Sequence, residues 1–390
     1  MKKNKLQKNI PNGWIQVRLG DICVFKKGKG LPKSDLADNG KYEAIHYGEL
    51  FTKYNEKICV ILSSTNDNKN VFLSKKNDIL MPTSDVTPRG LSTASFIDKD
   101  GVILGGDILV IRPKTRELNG LFFSNFVTAQ KKEIIRLVSG TTVFHLYGSD
   151  MAKLKFNMPP LPEQKQIVSV LETWDEMVET LARKIEIKKN IKKGLMQELL
   201  SGKKRLSGFT DEWVTVKLGD ICKRESSNIA ANLLENNGGE YKIYGASGLL
   251  KKINFYQQDE FYISIVKDGA GVGRLFLCEP KTSTLGTLDN LKVNGNNNLL
   301  FLYSLLQKIE FRKYIVGSTI PHIYFKDYKI EKVNIPKDIK EQEAIADILV
   351  TADKEIEKLE EKLRIIKEQK KFLLNNLITG QIRVPEKVKI

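Results

Sequence analysis

Trp14-Ile15-Gln16-Val17-Arg18-Leu19-Gly20-Asp21-Ile22-Cys23 returns 199 residues later as Trp213-Val214-Thr215-Val216-Lys217-Leu218-Gly219-Asp220-Ile221-Cys222. A recurrence this close marks a chain built from two copies of one unit. A second repeat lies further along. Glu163 to Leu206 aligns without a gap on Glu341 to Val384, with about 17 of 44 positions identical. Between the two anchors, His145-Leu146-Tyr147 with Asp150 matches His322-Ile323-Tyr324 with Asp327. Each unit is therefore a globular module followed by a helical tail.

The modules carry short β-branched and aromatic runs, Val102 to Leu104, Ile108 to Ile111 and Phe261 to Ile265, separated by Gly, Asn and Asp. That is the signature of strands and turns. Helices are expected near Leu121 to Val138 and Asn298 to Tyr314. The tails differ in kind. Ile167, Leu171, Trp174, Val178, Leu181 and Ile185, then Leu195 and Leu199, alternate by four and three, which is a heptad seam. The second copy reads Ile345, Leu349, Ala352, Ile356, Leu359, Leu363 and Ile366, then Leu373 and Leu377. Lys188, Lys192 and Lys370 interrupt the seams.

Pro160 and Pro162 precede the first tail, and Gly202 and Gly380 follow the two seams, the order expected at helix starts and ends. Each helix should run roughly 40 residues, about 60 Å. A stripe of that length needs a partner, and the other copy's seam is the economical one. Only about ten residues separate Gly202 from Trp213, too few for a parallel return, so the helices are expected to pair antiparallel with one module at each end. The expected fold class is α+β: two α/β modules alternating with two long helices in an antiparallel coiled coil, pseudo-two-fold symmetric. The expected divisions are 1–157, 158–206, 207–333 and 334–390.

The 390 residues carry 63 Lys plus Arg against 47 Asp plus Glu, a net charge of +16, with 41% hydrophobic residues. Such a chain can bury a core, and disordered, collagen-like and low-complexity classes are excluded. Its apolar runs fall far short of the ~18 residues a membrane helix needs. The basic stretch Met1 to Lys8 leads into Ile10-Pro11-Asn12-Gly13 rather than an apolar segment, so a cytoplasmic protein is expected. Four scattered cysteines and three histidines offer no disulfide or metal pattern. The basic excess points to a polyanion, and it is lopsided: residues 1–157 hold 25 basic against 15 acidic side chains, residues 207–333 only 16 against 14.

Pro159-Pro160-Leu161-Pro162-Glu163-Gln164-Lys165-Gln166-Ile167, its counterpart Ile335-Pro336 with Glu341-Gln342-Glu343-Ala344-Ile345, and the closing Leu199 to Gly202 and Leu377 to Gly380 resemble the specificity subunit of bacterial type I restriction-modification enzymes, over nearly the whole chain. The resemblance implies that each module reads one half of a split, asymmetric double-stranded DNA target, with the paired helices setting the gap. It implies a non-catalytic subunit that docks two methyltransferase subunits and, through them, restriction subunits. S-adenosylmethionine, ATP and Mg are then expected on those partners, and no cofactor or membrane contact on this chain.

Candidate readers follow from the loops. In module two, Tyr244 to Gly248, with Tyr244 and Ser247, and Lys267 to Arg274, with Lys267, Asp268 and Arg274, look like the family's target-domain loops; Gly admits close backbone approach, and Lys, Arg, Ser and Asp can read base edges or phosphates. Module one offers Tyr47 and Glu49, then Thr83, Ser84, Asp85 and Arg89, at the corresponding places, with prolines instead of glycines. Thr141 and Thr142, and Ser318 and Thr319, recur in both modules and are assigned to phosphate contacts or folding. His145 and His322 read as structural. Enzyme signatures fail: Asn157-Met158-Pro159-Pro160-Leu161 lacks the aromatic residue that holds an extruded base, Glu240-Tyr241-Lys242 has no Pro-Asp partner, and no phosphate-cradling Gly-Lys-Ser/Thr loop exists.

Overall fold

The computed structural model describes residues 10–234 and 238–385; the basic opening Met1 to Lys8 and residues 386–390 of the tail lie outside them. The chain divides into two compact units, Met1–Thr180 with Leu363–Ile390, and Leu181–Lys362. Each unit thus holds one module, half of its own long helix and half of the other.

In the first unit the strand Ile108–Pro113 lies between Cys23–Lys27 and Asp78–Pro82, with Ser95–Ile97 and Lys57–Ile58 beyond the latter. Its apolar run is buried on both faces, and period two divides it between two cores. Leu109 and Ile111, with Ile79 and Met81, face a core containing Phe122 and Phe126. Ile108 and Val110, with Leu80, face another containing Ile45 and Leu104. The second unit repeats this with Cys222–Ser226, Leu288–Val293, Tyr262–Val266 and Leu275–Cys278. There Ile263, Ile265 and Leu291 face one core and Val266 and Leu288 the other. The Trp-led segments become strands Ile15–Arg18 and Trp213–Lys217, each closing its module by pairing antiparallel with the strand entering the long helix, Lys155–Met158 or Lys332–Pro336.

The long helices are Leu161–Leu199 and Ile339–Thr379, 39 and 41 residues. Within the first unit, Ile167 and Leu171 share a core with Ile378 and Leu374, and Asp175 pairs with Lys370. Within the second, Lys188 pairs with Glu355 at 2.8 Å, Lys192 with Asp353 at 2.5 Å, and Leu199 shares a core with Ile345 and Leu349. Rising numbers on one helix meet falling numbers on the other, so the pairing is antiparallel in each unit. Leu181, Ile185 and Ile356 are buried, and Val178, Leu359 and Leu363 half-buried. Each lysine that interrupts a seam reaches a carboxylate on the facing helix, which is how a polar residue is accommodated there.

Two helices are shorter than the sequence predicts. Leu121 to Val138 becomes Gly120–Ala129 and Lys131–Ile135, broken where Gln130 leaves helical geometry at φ −110°, ψ 35°. Asn298 to Tyr314 becomes Leu299–Leu306 followed by a tight turn at Phe311–Tyr314. Among the described residues no helix is long and apolar enough to cross a membrane, and no group of three His, Cys, Asp or Glu could hold a metal ion.

Candidate nucleic-acid interface

The repeated Glu-Gln pair fixes the frame of each module. Gln164, fully buried, accepts the Asn119 N–H at 2.8 Å and donates to the Pro159 carbonyl at 2.9 Å. Asn119 in turn caps the helix Gly120–Ala129 through the Phe122 N–H. Gln342 does the same for Asn298 and Pro336, and Asn298 caps Leu299–Leu306. These bonds satisfy donors that a buried helix start would otherwise leave unpaired.

The preceding glutamates hold a clamp. Glu341 accepts Arg205 Nε at 2.7 Å and Nη2 at 2.9 Å, and the Trp213 indole N–H at 3.3 Å; the guanidinium sits 5.9 Å from the Trp213 ring. Glu163 holds Arg383 and Trp14 in the same way, at 2.6, 2.8 and 3.0 Å, with 5.8 Å from guanidinium to ring. Gly202 and Gly380, both at φ +71°, bring the chain against these tryptophans, where a Cβ would stand 3.3 Å from the ring. Glycine supplies both the positive φ and the space.

On this frame, module one opens a cleft of about 820 Å³ lined by Phe25, Lys27, Thr83, Ser84, His145 and Tyr147 among others. Its wall forms because Ser84–Asp85 pairs with Phe144–His145, placing His145 opposite Ser84. Lys27 and Asp107 meet at 3.1 Å on its rim.

Module two places different chemistry at the same topological positions. The Leu109 position, opposite Lys27, corresponds to Asp289, opposite Ser226. Asp289 is buried, with Arg224 at 3.6 Å, Lys267 at 3.8 Å and the Ser226 hydroxyl at 3.2 Å. Asp268 bridges to His322 as Ser84 pairs with His145, and its carboxylate meets His322 Nδ1 at 2.8 Å. The Lys267 to Arg274 loop is tied to the Tyr244 to Gly248 turn by Arg274 Nη1 donating to the Ala246 carbonyl at 2.8 Å. A hollow of about 440 Å³ lies beside it, lined by Arg274 and Arg312.

The expected readers therefore fall into two groups. Ser247, Arg274, Ser318, Thr319, Thr141, Thr142 and Arg89 are exposed, and Tyr47, Ser84, Asp85 and Tyr244 half-buried. Glu49 is a correction. It is buried, and its carboxylate accepts the His46 N–H at 2.8 Å, Lys53 Nζ at 2.7 Å and the Ser63 hydroxyl, so it holds its own turn rather than a base. Thr83 is also buried and its hydroxyl donates to the Asp107 carbonyl. Lys267 and Asp268 are half-buried and engaged with Asp289 and His322. Sequence reading did not single out Phe25, Arg224 and Asp289, which the structure sets at these equivalent strand positions. The signal was present: counting from Cys23 and Cys222, Phe25 aligns with Arg224, a change of chemistry inside a repeated strand.

Burial pushes the thiols of Cys23, Cys222 and Cys278 up to about 12, with Lys114 countering weakly at Cys23. They are protonated core residues.

Comparison with known proteins bears on this arrangement. A family model described as "Type I restriction modification DNA specificity domain" matches residues 11–189 and 210–367. The chain is 26% identical over 418 residues to the type I restriction enzyme MjaVIII specificity subunit of Methanocaldococcus jannaschii, covering 96% of this chain and 94% of that one. It is 27% identical to the putative MjaX specificity subunit of the same organism, over 72% of each chain. In fold it is similar to the type I restriction-modification S subunit from M. genitalium, with a TM-score of 0.66 at 21% identity over 96% of this chain and 98% of that one.

Proposed function

The chain belongs to the type I restriction-modification DNA specificity family, and from that premise we propose that each module reads one half of a bipartite, asymmetric duplex target. Its part in such a system is DNA sequence specificity, exercised through two target recognition domains. The observation that carries the reading is a set of equivalent strand positions with unlike side chains: Phe25, Leu109, Thr83 and Ser84 in module one, Arg224, Asp289, Lys267 and Asp268 in module two. Apolar side chains suit the thymine methyl, whereas Lys and Asp suit guanine acceptors and cytosine or adenine amines. Two unlike readers make an asymmetric target. Two methyltransferase subunits would dock on the long helices and bring the restriction subunits, with S-adenosylmethionine, ATP and Mg bound by those partners. The second module's near balance of charge, 16 basic against 14 acidic residues, leaves much of the phosphate neutralisation to them.

The test is base-resolved mapping of methylation by the chain assembled with its methyltransferase on a randomised duplex library. The expected result is a split target of two unlike halves. Arg274→Ala, which unties the two loops of module two, should relax one half and spare the other. Equal relaxation of both halves, or no base preference in the wild type, overturns the proposal.

A further inference from the structure

A hairpin recurs in both modules, and in module one its closing residues His145 and Tyr147 stand at the edge of the cleft. Gly140 to Tyr147 reads Gly-Thr-Thr-Val-Phe-His-Leu-Tyr, and Gly317 to Tyr324 reads Gly-Ser-Thr-Ile-Pro-His-Ile-Tyr. Each is a five-residue hairpin closed by paired backbone bonds, Ser139 with His145 and Val316 with His322, and each opens on a glycine at positive φ, +113° and +88°. After the hairpin the histidine ring stacks on the tyrosine two residues on, at 5.8 Å and 18° in module one, and 6.4 Å and 13° in module two. The tyrosines are 51% and 47% exposed, and Thr141, Thr142, Ser318 and Thr319 are exposed as well.

We propose that this hairpin and its His-Tyr stack form a binding site for the sugar-phosphate backbone of duplex DNA, used in the same way on both halves of the target. The inference rests on the reading of the two modules as half-site readers. Two readers facing different base sequences share one ligand chemistry, the backbone. The element stays constant between the modules while Phe25 changes to Arg224 and Ser84 to Asp268. Its outward groups suit phosphate oxygens: two hydroxyls at the tip, the phenol and an imidazole nitrogen. In module two Asp268 holds His322 by Nδ1 at 2.8 Å, which turns Nε2 away from the carboxylate, and Lys326 Nζ lies 5.5 Å from the Tyr324 ring, adding a cation at the same place. Burial would be the mark of a pair kept for packing, and these tyrosines are half in solvent.

The experiment uses the complex with methyltransferase subunits and compares Tyr147→Ala with Tyr324→Ala, together in one chain, against wild type on the cognate duplex and on single-base-substituted duplexes. The expected result is about tenfold weaker binding to every duplex with the ranking of bases unchanged at both halves, as for a lost phosphate contact. Loss confined to particular base positions, or undiminished affinity, overturns the inference. Thr141→Val with Ser318→Ala, which removes exposed hydroxyls without touching the stack, gives a second reading and should weaken all duplexes a few-fold; no change there, in a complex that melts like wild type, also counts against it. A wild-type complex without base preference would instead defeat the half-site reading itself, so the two failures are distinguishable.

Discussion

Arg205→Ala is the substitution whose cost the structure specifies best. Glu341 is 0% exposed, while the Arg205 side chain is 29% exposed. Removing the guanidinium leaves a buried carboxylate with only an indole N–H for company, a change that costs about 3–5 kcal/mol in fully buried pairs. Partial exposure of the arginine places the expectation near the low end, about 3 kcal/mol. Arg383→Ala removes the same group from the equivalent clamp, but there the arginine side chain is 42% exposed and Glu163 keeps 12%. Solvent can take up that carboxylate, so about 1 kcal/mol is expected. With an m-value of about 2 kcal/mol/M, the urea midpoint of the second unit should fall about 1.5 M for Arg205→Ala, and that of the first about 0.5 M for Arg383→Ala. The three tryptophans report separately, since Trp14 and Trp174 lie in the first unit and Trp213 is the tryptophan of the second. Incorporation of 5-fluorotryptophan and fluorine NMR in urea follows each unit in one titration. Arg205→Met with Glu341→Gln removes both charges and keeps an acceptor for Trp213, so it should cost less than Arg205→Ala alone. Equal midpoint shifts for the two alanine variants, or a double variant worse than the single, would refute the argument from burial.

Lys192→Glu sets like charges against each other where Lys192 now meets Asp353 across the helices, and a loss of about 1–2 kcal/mol in the second unit is expected, largely restored by adding Asp353→Lys; a swap that fails to rescue in a urea titration counts against this antiparallel register. At pH 8 a thiol raised to about 12 is about one part in ten thousand thiolate, so a native chain should show one thiol reacting rapidly with an aromatic disulfide reagent. That thiol is the exposed Cys59, and Cys59→Ser should abolish the fast phase while urea reveals the buried three; a second fast thiol in the native chain would contradict the burial of Cys23, Cys222 or Cys278.

The long helices were legible because a seam of alternating spacing over some 40 residues has few other interpretations, and the bracketing prolines and glycines agreed with it. The breaks at Gln130 and after Leu306 were not, because the polar residues there, Gln130 to Glu133 and Gln307 with Lys308, suit an exposed helix face equally well and no Gly or Pro marks the stop. The clamps were half legible. Glu163 and Glu341, and Arg205 and Arg383, already sat at matching positions of one repeat, and Trp14 and Trp213 in another. That each arginine would meet the glutamate of the other copy is a long-range contact that no local pattern records. Glu49 misled because a carboxylate in a turn reads as surface, although Lys53 four residues on was a local hint of an internal pair.

Under the proposed reading, the two modules also differ in how freely their specificity could change. The residues that hold the frame, Gln164 and Gln342, Glu163 and Glu341, Trp14 and Trp213, are separate from the positions that differ between the modules, so those positions can vary without loosening the scaffold. In module one, replacing Phe25 or Ser84 disturbs an apolar or neutral surface, and each position can vary alone. Module two has no such latitude. Asp289 is buried and its charge is met by Arg224 and Lys267 together, so neutralising either cation leaves a poorly compensated buried carboxylate, a far larger penalty than the loss of one surface contact. Under the proposed reading, Arg224, Lys267 and Asp289 would have to change as a group for the second module to take a new half-site in a folded protein, whereas the first could do so one side chain at a time.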